Sequence, residues 1–190
     1  MTEKPELYFE RPEAWWDWLL QHHDKTPQGV YLIFYKLDTK IPSMRWEEAV
    51  QMALCFGWID STVKSLGQGK RQQYFCPRRA KSPWSALNKK HIKTLEAQNL
   101  IHESGWKVIN QAKQDGSWHA MDAVEKRIIP PDLKQAFKAQ PEAFKNYKKF
   151  APGYQKGYLS WLHQAKRNTT RQQRIEAIIL FCKQNKKSRT

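Results

Sequence analysis

The apolar positions of this chain follow two periods. Residues 29–37, GVYLIFYKL, are β-branched or aromatic on both alternating faces and predict a central strand. Trp46, Ala49, Val50, Ala53 and Leu54 recur at i, i+3, i+4, i+7 and i+8, which predicts a helix with one buried face. Ser43 offers that helix an N-cap, and Gly57 ends it as a left-handed residue would. An earlier helix starts at Pro12, with Glu13 in its first turn. Its Trp15, Trp16, Trp18, Leu19 and Leu20 cover a wide arc, a helical spacing that reads as core rather than as a base-stacking platform. Two strand-like runs in WIDSTVKSLGQGKRQQYF (58–75) flank Gly67-Gln68-Gly69 and predict a hairpin. Its open end brings Asp60 near the segment Phe75–Arg79.

Downstream the pattern turns helical. Ser82 and Pro83 take the cap and first position of a helix running to about Gln98. ESGWKVINQAKQDG predicts another, ended by Gly116. Pro130-Pro131 marks a boundary, short helices follow, and a last helix from Thr169 carries Ile175, Ile178, Ile179 and Cys182 on one face. The expected fold is α+β: residues 1–128 form a small, mainly antiparallel sheet with packed helices, and residues 129–190 a helical segment packed on it.

Charge sharpens this picture. The 190 residues carry a net charge of +15, unevenly placed. Residues 1–60 hold six Lys/Arg and ten Asp/Glu, while residues 131–190 hold fourteen and three. Between Asp60 and Glu96 there are nine basic residues and no acid. Such a layout favours an anionic partner or serves solubility. Three scattered cysteines, Cys55, Cys76 and Cys182, read as reduced thiols in a cytoplasmic protein. The N-terminus has no basic and apolar leader, and no uncharged apolar run reaches the roughly 18 residues of a membrane span.

Two places set cations against a helix dipole. Arg78, Arg79 and Lys81 precede Ser82, where helix N–H groups already supply positive charge. With Ser82, the N–H groups of Trp84 and Ser85, and the side chains of Ser85 and Asn88, they would form an anion cradle. The alternative pairs Arg78 or Arg79 with Asp60 and makes Trp84 a core residue. In KRNTTRQQRIE, Thr169 and Gln172 fit a capping box, and Arg171 and Arg174 fall in the first turns beside the buried stripe. Either an anion or Asp60 answers them, or they snorkel at the core edge. One shared pocket would resolve both conflicts, with Asp60 in salt-bridge reach of at least one of the four arginines. Catalytic signals are absent: the six histidines lack metal-ligand spacing, and no nucleophile elbow or phosphate-binding glycine loop occurs. No metal, cofactor or catalytic residue is expected.

The blocks CFGWIDS (55–61), FCPRRAKSPWSALN (75–88), PPDLKQAF (130–137) and TTRQQRIE (169–176) resemble the YdeI/OmpD-associated, or bacteriocin-protection, family. Cys76 and the turn Gly67-Gln68-Gly69 depart from the expected Thr and acidic residues. The resemblance implies antimicrobial or stress tolerance, without a reaction or ligand. The leading expectation is a binder of an anionic small molecule or anionic group through Asp60, Arg78, Arg79, Ser82, Trp84, Ser85, Asn88, Arg171 and Arg174. The alternatives are a nucleic-acid-binding protein and an enzyme acting on an anionic substrate.

Overall fold

The computed structural model describes residues 4–189. The chain forms two compact units, the first ending at His119 and the second beginning at Ala120. The fold is α+β. Four strands, β1 (Glu6–Tyr8), β2 (Val30–Tyr35), β3 (Trp58–Gly67) and β4 (Lys70–Pro77), lie in the order β1-β2-β4-β3. Only the three-residue β1 runs parallel to its neighbour; β2–β4 and β3–β4 are antiparallel. The hairpin closes on Gln68 and Gly69, whose φ values of 48° and 72° match the left-handed pair that a tight hairpin turn requires.

Helices α1 (Pro12–His22), α2 (Trp46–Cys55), α3 (Ala86–Ala97) and α4 (Glu103–Gln114) complete the first unit. Its core joins Trp15 and Leu19 of α1 to Leu32 and Phe34 of β2, Leu54 of α2, Trp58, Phe75, Trp84 and Ile109. The tryptophan-rich α1 is thus a core helix, although Leu20 is half exposed and takes no part. One predicted cap moves here. Helix α2 starts at Trp46 beyond Arg45, whose N–H donates to Glu48 Oε2 at 2.7 Å, while Ser43 Oγ accepts from the Tyr35 N–H instead. Gly57 closes the helix with φ 74°, as its place in the sequence predicts.

The second unit holds α5 (Asp122–Glu125), α6 (Pro131–Ala139), α7 (Pro141–Lys149), α8 (Pro152–His163) and α9 (Asn168–Lys183). Three of these begin on proline, whose missing N–H costs nothing at a first helical position. Leu133, Phe137, Tyr147, Leu159, Leu162, Ile175, Ile178 and Cys182 form its core. Val124 of α5 belongs to that cluster, so α5 goes with the second unit. Among the described residues no helix is long and apolar enough to cross a membrane.

Candidate functional site

The segment after β4 differs from its predicted form. Arg78 N–H donates to Gly57 O at 2.9 Å, and the chain then turns, with Ser82 N and Oγ both donating to Arg79 O. Lys81 is left-handed at φ 60°, and its N–H meets Asp115 Oδ2 at 3.3 Å. Helix α3 begins only at Ala86, capped by Ser85, whose Oγ accepts from the Asn88 N–H at 3.1 Å. The cradle expected from Ser82 and the N–H groups of Trp84 and Ser85 is therefore not formed. Residues 82–85 run outside any helix, because Trp84 must reach the core, where it is fully buried.

Arg78 follows Trp84 inward. Its guanidinium carbon lies 3.8 Å from the Trp84 ring centroid, and Nη2 donates to Pro83 O at 2.6 Å. Nε, Nη1 and the Trp84 Nε1 are all buried, and none meets an acceptor. Burial pulls the Arg78 pKa down to about 10, against the opposing field of Asp60. Buried polar groups are almost always paired, so three unmet donors at one point are unusual.

Above them opens a pocket of about 190 Å³. Arg78, Arg79, Lys81, Ser82 and Trp84 form one side; Lys107, Val108, Gln111 and Ala112 of α4 form the other, and Asp115 and the buried Ser117 complete the lining. Asp115 is held below the usual carboxylate range by its hydrogen bonds with Ser117 and Lys81. The α4 residues carry no signal in the sequence, being ordinary helical positions some thirty residues from the motif. Gly105 is the exception. A Cβ there would lie 2.2 Å from Cys55 O, so glycine lets α4 approach closely enough to form the wall.

Asp60 stands opposite Phe75 in the hairpin register, on the core side of the sheet beside Gln73. Its Oδ2 accepts from Trp46 Nε1 at 2.9 Å and from Gln73 Nε2 at 2.5 Å. Among the described residues no cation lies within salt-bridge distance of it, which corrects the expected ion pair. The register fixes the carboxylate next to α2, whereas Arg78 lies past the end of β4 and turns toward Trp84. Asp60→Asn should accordingly cost only about 1 kcal/mol, since an amide oxygen can accept from the same two donors. Urea unfolding followed by tryptophan fluorescence checks this, and a loss several times larger would show an ionic role.

The arginines of α9 find partners inside the second unit. Arg171 Nε and Nη2 grip Asp132 Oδ2 and Oδ1 at 2.5 and 2.9 Å, a two-pronged pair that lowers the Asp132 pKa and raises that of Arg171. Arg174 donates to Trp161 O and lies 5.3 Å over its ring. Thr169 is not the cap; α9 begins at Asn168, and Gln172 donates to Glu176 Oε1. The conflict with the helix dipole that suggested an anion shared with Arg78 is thus answered locally.

Residues 126–185 match the family described as bacteriocin-protection, YdeI or OmpD-associated, and residues 7–108 match a second family, described as a domain of unknown function (DUF8412). The second match covers just over half of the chain, which belongs to that family; the YdeI/OmpD-associated match is confined to a domain in the second unit. No curated protein and no solved structure matches it. The YdeI/OmpD-associated match holds α6 to α9, including Asp132, Arg171 and Arg174. The motifs around Asp60 and Arg78 lie in the DUF8412 part, which reaches α4 as far as Val108. Gln111, Ala112, Asp115 and Ser117 of the pocket lie beyond both matches.

Proposed function

We propose that this YdeI/OmpD-associated protein binds a small anion, or the anionic end of a small molecule, at Arg78 in the cytoplasm, and serves antimicrobial or stress tolerance through that binding. The observation that carries the reading is the buried guanidinium with two unpartnered nitrogens beneath a pocket. A desolvated cation is costly until an anion meets it, and hydrogen bonds to a charged donor contribute about 1.5–3 kcal/mol each. Arg79, Lys81 and Lys107 raise the positive potential at the mouth, while Ala80, Val108, Ala112 and the Trp84 ring suit an apolar body behind the charged group. Because Nε and Nη1 are fully buried, the guanidinium or the turn 79–82 must shift for a ligand to meet them. Of the residues expected from the sequence, Arg78, Arg79, Ser82 and Trp84 line this pocket; Ser85 and Asn88 instead cap α3.

The test is thermal unfolding with acetate, benzoate, phosphate and sulfate at matched ionic strength. At least one should raise the melting temperature of the wild type by several degrees at about 100 times its dissociation constant. Arg78→Met should lose the response, whereas Arg171→Ala should keep it. No shift with any of the four, or an equal shift in Arg78→Met, removes the reading.

A further inference from the structure

The sheet has a second face. Alternation sends Val30, Leu32, Phe34 and Phe75 into the core, so Tyr31 and Tyr74 point the other way. The registers place Glu6, Tyr31 and Tyr74 side by side across three strands, and Tyr8, Ile33, Gln72 and Lys64 in the next row across four. Glu6, Tyr8 and Lys64 on these rows are exposed, Tyr31, Gln72 and Tyr74 are half-buried and Ile33 is buried, so solvent reaches this face at the ends of the rows and through the two tyrosines.

Its chemistry is aromatic with a cationic fringe. The Tyr31 and Tyr74 rings lie 5.3 Å apart, and Tyr74 is steadied by its hydroxyl, which donates to Gln28 O at 2.5 Å. Lys4 Nζ stands 4.0 Å from the Tyr74 centroid. Lys70, opposite Tyr35, reaches Glu6 at 3.8 Å, which confirms that both side chains occupy this face. Glu6 is also held by Gln72 Nε2 at 2.7 Å, so the one acid in these rows is already engaged.

We infer that this face binds single-stranded nucleic acid, with bases against Tyr31, Tyr74 and Tyr8 and phosphates near Lys4, Lys64 and Lys70. Bases stack on aromatic side chains whatever their identity, and lysines beside them track the backbone. A duplex hides its ring faces inside the stack and offers the tyrosines none, whereas an unpaired strand presents both bases and phosphates to this face. The charge that complements a polyanion here is local, Lys4 and Lys64 beside the tyrosines with Lys70 at the Glu6 pair, since the first unit as a whole holds 17 Lys/Arg against 13 Asp/Glu. None of these residues belongs to the Arg78 pocket, so the inference stands or falls separately.

Fluorescence anisotropy of labelled oligothymidylate with the full chain tests it. Binding should weaken steeply between about 50 and 200 mM salt, as phosphate contacts do. Tyr31→Leu and Tyr74→Leu, which keep bulk but lose the ring, should each weaken binding by about tenfold without changing the salt slope. Lys64→Gln with Lys70→Gln should flatten the slope. Circular dichroism confirms that each variant folds; if a leucine variant does not, photocrosslinking of a bromouridine oligonucleotide to the wild type should map to these strands. No binding by the wild type, undiminished binding by folded leucine variants, or crosslinks elsewhere overturns the inference. Heparin or duplex competing as well as the single strand would also overturn it, leaving only charge.

Discussion

Gly105→Ala should destabilise the first unit by up to about 2 kcal/mol and weaken its response to anions at the same time. The added Cβ would meet Cys55 O at 2.2 Å and Cys55 C at 2.9 Å, both backbone atoms. That is roughly an ångström inside the usual C···O approach. Cys55 O cannot retreat freely, because it accepts from the His102 N–H at 3.0 Å, just ahead of α4. Relief must come from moving α4, and overpacking of that kind costs about 1–3 kcal/mol, offset by about 1 kcal/mol of helix preference for alanine. The same movement shifts Lys107, Val108, Gln111 and Ala112, the far wall of the Arg78 pocket. Val108 also packs over Gly57, whose carbonyl holds the Arg78 N–H. Gly157→Ala in α8 is the control: nothing lies within 4 Å of its added Cβ, so it should be neutral or mildly stabilising. Eight of the nine tryptophans precede residue 120, so their fluorescence in urea reports the first unit. Equal stabilities for Gly105→Ala and the wild type would show that α4 does not depend on this close approach.

The fold was legible where a local signal coincided with a tertiary need. The helical period of α2, the alternation of β2 and the glycine turn between β3 and β4 each answer to burial as well as to propensity. Where two local signals compete, the core decides. Ser82-Pro83 reads as a cap and first helical residue, but Ser85 with Asn88 is an equally good start. Beginning α3 at Ser85 leaves Trp84 free to enter the core, which is worth more than one turn of helix. The same competition moves the α2 start from Ser43 to Arg45.

The site was legible in part, and for a physical reason. Arg78, Arg79, Ser82 and Trp84 are contiguous, so their gathering needs no knowledge of tertiary structure. Which partner each charge finds does need it. Asp60 lies close to the arginines along the hairpin, but strand register gives it Trp46 and Gln73. Arg171 is claimed by Asp132, a first-turn acid of α6 that also suits the dipole of that helix. Complementary charge in the sequence indicates that partners exist; the register of strands and the crossing of helices choose them.

Trp84 and Arg78 touch, yet their removal should have opposite results. Trp84→Ala deletes a fully buried indole that packs on Trp118 at 4.9 Å, and should cost about 3 kcal/mol, the low end for large aromatics, because its orphaned N–H goes with it. Arg78→Met keeps the length and the apolar stem while removing the charge. Losing the contact with Trp84 costs about 1 kcal/mol, and losing the bond to Pro83 O costs about 1.5–3 kcal/mol. Against this stands the cost of holding the guanidinium out of water, of the order of 3 kcal/mol for a pKa drawn down to about 10. The unfolded chain keeps that proton more firmly than the folded one, so the cost is full at neutral pH and recedes only as pH rises through 10. The terms nearly cancel, and Arg78→Met should unfold within about 1 kcal/mol of the wild type. It should nevertheless show no stabilisation by anions. A variant as stable as the wild type but deaf to ligand would mark Arg78 as a residue held for binding. A loss of 3 kcal/mol or more in Arg78→Met would instead make the guanidinium part of the scaffold, with Trp84 as its partner.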